Sequence, residues 1–202
     1  MDLAGVPEAE DEYHQRLRAF PRQETKAAIE NPVWHIHSGT PPESDMIVPY
    51  AMLLNLASVA SAETSETLWG FIRRYAPEAG PETHPGLDAA AGRAVRYYQD
   101  HVKPAKQYRA PSADEAAALT DLADRLEAAE AGADAEALQT IVYAVGKERG
   151  IEPLRDWFTT IYEVLLGQSQ GPRFGGFIAV YGLSESIALI RAGAKGELAD
   201  KA

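Results

Sequence analysis

Apolar residues recur along this chain at helical spacing, three or four positions apart, and no stretch alternates apolar and polar residues with β-branched enrichment. Tyr13, Leu17 and Phe20 share one side of a first helix over residues 7–20, which Pro21 ends; a shorter helix follows over 23–30 and stops at Asn31-Pro32. Residues 48–60 carry Tyr50, Leu53, Leu54, Leu56 and Ala57, a composition too apolar for a surface helix and suited to a buried one. Leu68, Phe71, Ile72 and Tyr75 mark a helix over 64–75. A longer one begins at Thr83-His84-Pro85 and runs through Leu87, Ala90, Ala94, Tyr97 and Tyr98 until Lys103-Pro104 bends or ends it.

Beyond that point the signals are local and chemical. Ser112 and Glu115 have the spacing of a capping box, in which hydroxyl and carboxylate satisfy reciprocal backbone amides, and Leu119, Leu122 and Leu126 follow. Asp134 caps a helix carrying Leu138, Ile141, Val142 and Val145 that stops near Gly150. Trp157, Phe158, Ile161, Tyr162 and Leu165 form the apolar stripe of a helix over 153–166. Pro172 suits the first turn of a helix through Phe174, Phe177, Ile178 and Tyr181, which Gly182 breaks before a last helix over 184–191. These patterns predict an all-α chain, an irregular multi-helix bundle or cage of about ten helices without a sheet and without a fixed-period repeat. A first helical subdomain over 1–110 contains the 31–45 loop. Composition switches near 110–113, which sets off a second subdomain over 111–192 and a small, charged tail over 193–202 expected to fray.

Composition excludes several chemistries. Without cysteine there are no disulfides, thiol nucleophiles or Cys-based zinc sites, in keeping with a reducing cytoplasm. No run of eighteen apolar residues and no signal-peptide pattern at the N-terminus is present, so a soluble, cytoplasmic protein without membrane contact is expected. The net charge of −11 argues against DNA or RNA as a partner until its distribution is considered. Residues 112–136 hold eight acids against Arg125 alone, whereas Arg93, Arg96, Lys103, Lys106 and Arg109 face only Asp100 between them. Interleaved with Tyr97, Tyr98 and Tyr108, those cations form either a phosphate-tracking face with stacking rings or a solvated helix surface.

Two further constellations concentrate polar chemistry. In Asn31-Pro32-Val33-Trp34-His35-Ile36-His37-Ser38-Gly39-Thr40-Pro41-Pro42 the prolines push their neighbours toward extended backbone, which predicts a non-helical loop with Gly39 at its turn. Trp34 reads as a core plug with the edges of His35 and His37 turned outward, although an indole beside imidazoles also suits stacking on an unpaired base. A metal site at His35 and His37 lacks a third and fourth ligand, and catalysis there lacks a carboxylate or imidazole partner, so no metal and no catalytic residue is assigned. Residues 167–177 form a Gly-rich turn entering a helix, with Gln170, Arg173 and Phe174 presented at its start. That turn is either an anion- and base-binding helix end or a connection in which Gly175 and Gly176 permit close packing.

Asp11-Glu-Tyr-His14, Asn31-Pro-Val-Trp-His-Ile-His37, Leu68-Trp-Gly-Phe-Ile72, Arg74-Tyr-Ala-Pro77, Glu82-Thr-His-Pro85, Val102-Lys-Pro-Ala-Lys106 and Gln170-Gly-Pro-Arg-Phe-Gly175 occur in an order that resembles the C-terminal half of bacterial class I lysyl-tRNA synthetases. The resemblance runs from about residue 6 to 190. Its last part, 164–190, is also distantly similar to the end of glutamyl-tRNA synthetases. It implies a helical cage that holds the anticodon stem-loop of lysine tRNA, without assigning base-reading residues. By their own chemistry Trp34, His35, His37, Gln170, Arg173 and Phe174 are expected near bases and Arg93, Arg96, Lys103, Lys106 and Arg109 on phosphates. The His-Ile-Gly-His and Lys-Met-Ser-Lys-Ser signatures of the catalytic domain are missing, so ATP and lysine would belong to a separate catalytic domain and this chain needs no cofactor. The rival expectation is a non-catalytic protein-interaction module of the same descent, with the acidic helices over 112–136 binding a basic partner.

Overall fold

One helix, α4 (Tyr50–Val59), buries eight of its ten residues, Tyr50, Met52, Leu53, Leu54, Asn55, Leu56, Ala57 and Ser58. In the computed structural model, which describes residues 5–130 and 132–199, the other elements are arranged to cover it. α1 (Val6–Ala19) packs on one side, and the Asp11 carboxylate accepts hydrogen bonds from the Tyr50 and Ala51 amides at 2.6 and 3.0 Å. These two amides have no partner within α4, so a carboxylate from a neighbouring helix supplies the cap that Pro49 cannot. α5 (Ser65–Tyr75) and α6 (Pro85–Tyr97) complete this half. Their ends are fixed by polar contacts: the Trp69 indole N–H donates to Asp88 at 2.8 Å, and the Gly86 amide donates to Asp45 at 2.7 Å.

After α6 the chain winds through a wider π turn (Tyr98–Val102) and a 3-10 turn (Lys103–Ala105) before running extended to Ser112. The expected interruption at Pro104 is observed there. The capping box of α7 (Ala113–Glu127) forms in full, with Glu115 N to Ser112 Oγ at 3.3 Å and Ser112 N to Glu115 Oε2 at 2.8 Å. Asp134 caps α8 (Ala135–Glu148), accepting from the Glu136 and Ala137 amides. α9 (Leu154–Leu165) seats Trp157 in the core, its indole N–H on the Val142 carbonyl at 2.9 Å. α10 (Phe174–Tyr181) and α11 (Leu183–Ala194) follow, separated at Gly182, whose φ of 114° is open to glycine. The all-α expectation holds: eleven α-helices and no strand are found among the described residues.

Buried side chains from Met46 to Ile190 form a single continuous cluster that includes α4, α6, α7, α8, α9 and α10. The segment joining the two halves of the sequence is braced by Arg109. Its guanidinium donates to both oxygens of Glu115 at 2.8 and 2.7 Å and to Glu163 of α9 at 2.6 Å, while Thr160 donates to Glu115 at 2.8 Å. The acidic stretch over 112–136 is also partly neutralised from within. Asp121 pairs with Arg125 and Arg149, and Asp124 and Glu127 pair with Arg191 of α11.

Several expectations are corrected. Residues 31–36 are not all loop: α3 (Pro32–Ile36) forms because proline is compatible with a first helical position, and only Asn31, with ψ of 126°, is held extended as the cap. Pro172 precedes the N-cap Arg173 instead of lying in the first turn of α10. The chain end expected to fray is docked as far as Leu198, which packs against the core, and Gly193 is buried beside Leu165; residues 200–202 lie outside the described residues, as do residues 1–4 at the start of the chain. Among the described residues no single helix is long and apolar enough to cross a membrane, and the bent pair α10 and α11 reaches that length only across a 118° break.

Two predictions follow from this packing. A Cβ on Gly175 would meet the Ala135 carbonyl oxygen and stand 2.5 Å from Gln139 N and 2.7 Å from its Cα, all backbone atoms of α8, whereas one on Gly176 would meet only Met52 Cε at 3.5 Å. Gly175→Ala is therefore expected to lower stability by about 3 kcal/mol, whereas Gly176→Ala, an ordinary contact inside a helix, should leave it unchanged or raise it by up to about 1 kcal/mol, as measured by urea unfolding. The second concerns Glu115, which Arg109 first, then Ser112 and Thr160, hold down to a pKa of about 2 from 4.5. Between those values the unfolded chain binds more protons, so the contribution of Glu115 is complete above about pH 4.5 and lost as pH falls toward 2. Glu115→Gln should cost roughly 1–2 kcal/mol at neutral pH after allowance for solvent screening, and the gap to the parent should close in acid.

Candidate nucleic-acid interface

The cations and rings singled out in the sequence do not converge on one face. Several gather in three places, and Arg93, Arg96 and Lys103 belong to none of them.

The first is the 31–39 segment, held against α1 by Asn31. This buried side chain accepts from Val33 N at 3.1 Å and donates to the Arg16 carbonyl at 3.1 Å and to Gln23 at 2.9 Å. The sequence marked Asn31 only as a helix stop, because its cross-helix partners are fifteen and eight residues away. Val33, fully buried, is the core plug in place of Trp34. Trp34 is half-buried, stacked on Phe20 with ring centroids 6.1 Å apart, and the left-handed turn at Ser38 and Gly39 folds back so that Gly39 lies against the indole. His35 is exposed, and His37 Nε2 pairs with the Tyr13 hydroxyl at 2.9 Å. Among the described residues no group of three or more metal-ligating side chains gathers here or elsewhere. In α1, His14 is buried with neither ring nitrogen hydrogen-bonded, its Nε2 standing 3.9 Å from Glu10. Desolvation lowers its pKa, so the ring is kept neutral.

The second place surrounds Arg173. Its exposed guanidinium pairs with Glu136 at 2.8 Å and borders an apolar groove of about 340 Å³ between Ile47, Met52, Tyr75 and Val180. Phe174, expected beside bases, is fully buried and stacked on Phe177, because the turn after Pro172 drives it inward; that assignment is corrected. Arg93 is likewise separate: it is spent on Glu10 of α1, a pairing no local pattern announced. Arg96 and Lys103 are exposed and make no ion pair among the described residues.

The third place is a groove of about 660 Å³ where two of the predicted motifs meet. One wall runs from Tyr97 at the end of α6 and His101 in the π turn to Lys106, Gln107 and Tyr108 in the extended chain; the other is the Gly-rich turn with Gln168 and Ser169. A backbone hydrogen bond from Gln107 N to Gly167 O at 3.0 Å ties the two walls together. Gly167 has φ of 67°, and a Cβ there would stand 3.1 Å from the Tyr108 ring, so both its conformation and its lack of a side chain let the turn close over the tyrosine. Arg109 lies at the margin, and its guanidinium is committed to Glu115 and Glu163; it is a brace instead of the free phosphate contact expected of it. Ser169 also borders a second groove of about 430 Å³ that holds Arg155, Phe158, Tyr162 and Gln170. Arg155 is exposed and makes no ion pair among the described residues; no local pattern places it near residues 168–170.

Lys106 is the unusual group in the groove. Its ammonium donates to the Ser58 carbonyl at the end of α4 at 2.8 Å and to the Tyr108 hydroxyl at 2.7 Å, and it lies 5.6 and 5.0 Å from the ring centroids of Tyr98 and Tyr108. Both hydrogen-bond acceptors are neutral, and desolvation brings the pKa down from 10.5 to about 8.

Comparison with known proteins gives a consistent result. No protein-family model matches the chain. It is 62% identical over 193 residues to the lysine–tRNA ligase of Roseobacter denitrificans, an alignment that takes in 96% of this chain and 36% of that protein. It is 42% identical over 187 residues to the lysine–tRNA ligase of Rickettsia felis and 43% to that of Rickettsia bellii, in each case across 92% of this chain and 36% of the relative. The chain thus spans about a third of the length of the curated relatives it matches. Along nearly all of its own length it is homologous to proteins named lysine–tRNA ligase.

Proposed function

We propose that this chain is the helical, anticodon-reading region of a class I lysine–tRNA ligase and that it binds the anticodon stem-loop of lysine tRNA without carrying the catalytic domain. Homology that covers 92–96% of the chain but only 36% of each relative supports a region of a synthetase. The observation that carries the RNA reading is the groove in which the aromatic-basic segment 97–108 faces the Gln168-Ser169 turn. It offers rings and side-chain amides, the chemistry by which unpaired bases are held. The 430 Å³ groove with Arg155 and Gln170 extends this surface from Ser169. Trp34 and His35, on α3, would touch a separate part of a bound RNA. Arg93 and Arg173 are ion-paired elsewhere and are not needed for this contact. The protein-interaction alternative has less to stand on, because the acids of α7 that would attract a basic partner are largely paired with Arg125, Arg149 and Arg191.

Binding of a lysine-tRNA anticodon stem-loop, followed by fluorescence anisotropy, should weaken steeply with salt. Arg155→Ala should lower the slope of log affinity against log salt by about 1, while Arg173→Ala leaves it unchanged. Equal affinity for any RNA at all salt concentrations, or a larger effect of Arg173 than of Arg155, would overturn the assignment of the groove. In ATP–pyrophosphate exchange with lysine the purified chain should show no activity above background, since no catalytic signature is present; exchange by the chain alone would refute the reading as a non-catalytic region.

A further inference from the structure

Lys106 is built differently from the other described lysines. Lys26, Lys103, Lys147 and Lys195 are exposed, and Lys195 lies 3.7 Å from Glu197. Lys106 is half-buried, carries its ammonium 5.6 and 5.0 Å from the ring centroids of Tyr98 and Tyr108 and ends on a helix carbonyl and a phenol, with no carboxylate in ion-pair range among the described residues, yet it lines an open groove. The neighbouring Glu163 carboxylate is taken by Arg109. A cation in this setting has lost hydration without gaining a counter-ion, which favours the free amine. An amine with two N–H groups can keep both hydrogen bonds, to Ser58 and Tyr108, and retain its lone pair.

We infer that Lys106 is a site of covalent acylation, a reactive amine that takes an acyl group from an acyl phosphate entering the groove. The Nζ lone pair attacks the carbonyl carbon, an amide C–N bond forms, the C–O bond to phosphate breaks, phosphate leaves and one proton passes from Nζ to water. No oxidant or reductant is required. A pKa brought down to about 8 by desolvation supports this, because at pH 8 about half the side chain is already free amine, against well under about 1% of an ordinary lysine. The groove's size admits a small acyl phosphate, and Gln168 and Ser169 offer polar groups on the facing wall. The inference is independent of RNA binding: it concerns the chemistry of one amine.

The test uses the full chain with acetyl phosphate at pH 7 to 9 and peptide mass spectrometry to follow each lysine. Lys106 is expected to be acetylated at least about fivefold faster than Lys26, Lys103, Lys147 and Lys195 at pH 7.5, with a rate that levels off above about pH 8 while theirs keep rising. Modification of Lys106 at or below the rate of the exposed lysines, or a rate still rising tenfold per pH unit to pH 9, would overturn the proposal. Tyr108→Phe, which removes one hydrogen bond and keeps the ring, should preserve the fold by circular dichroism and still show preferential labelling. If Tyr108→Phe retains its fold and the preference for Lys106 vanishes, the desolvated-amine explanation is wrong.

Discussion

A helix with almost no polar side to show to water must be enclosed, and the rest of this structure is organised by the enclosure of α4. Burial of eight of its ten residues removes enough apolar surface from water to make this helix the centre of the core, but it also strands the backbone groups at both ends. A side chain from elsewhere reaches each end, alongside the backbone amides of Ala60, Ser61 and Ala62 that cover the last carbonyls. At the N-terminus Asp11 accepts from two amides, which fixes α1 against the core; at the C-terminal end Lys106 donates to the Ser58 carbonyl, which draws the segment after α6 inward. The aromatic-basic groove is a consequence of that second contact, because the same lysine that completes α4 brings Tyr98 and Tyr108 with it.

The groove's other wall follows from glycine. Gly167 lets the chain turn in the left-handed region directly against Tyr108, and Gly175 lets α10 approach the backbone of α8 so closely that Gln139 reaches the amide of Gly175 at 2.8 Å. The Gly-rich stretch was open to two readings, an RNA-facing turn or a packing device, and the structure divides it between them. Residues 168–170 line open grooves, while Phe174, Gly175 and Phe177 are core.

Electrostatics were the least legible property. A run of like charges in sequence says nothing about which opposite charges will meet it after folding, and here Arg93 finds Glu10, Arg173 finds Glu136, Arg109 finds Glu115 and Glu163, and Arg191 crosses to Asp124 and Glu127. Of the five cations expected on phosphate, Lys106 stays in the groove with a purpose of its own, Arg96 and Lys103 remain exposed, and the other two act in ion pairs. Arg155, which no motif marked, shares a groove with Gln170.

Local order is legible from neighbouring residues: helical period, the burial of α4, the capping box at Ser112 and Glu115, the Asp134 cap, and the breaks at Pro104 and Gly182. Each rests on residues within a few positions of one another, so their physics is complete in the sequence. The motifs shared with a synthetase region were legible there too, as a resemblance. Only the tertiary structure decided that Val33 and not Trp34 is the plug, that Asn31 joins α1 to α3, that Arg109 is a brace and that Lys106 faces Gln168 and Ser169. Those outcomes depend on which desolvated groups find partners dozens of residues away, and a one-dimensional pattern carries no record of that distance.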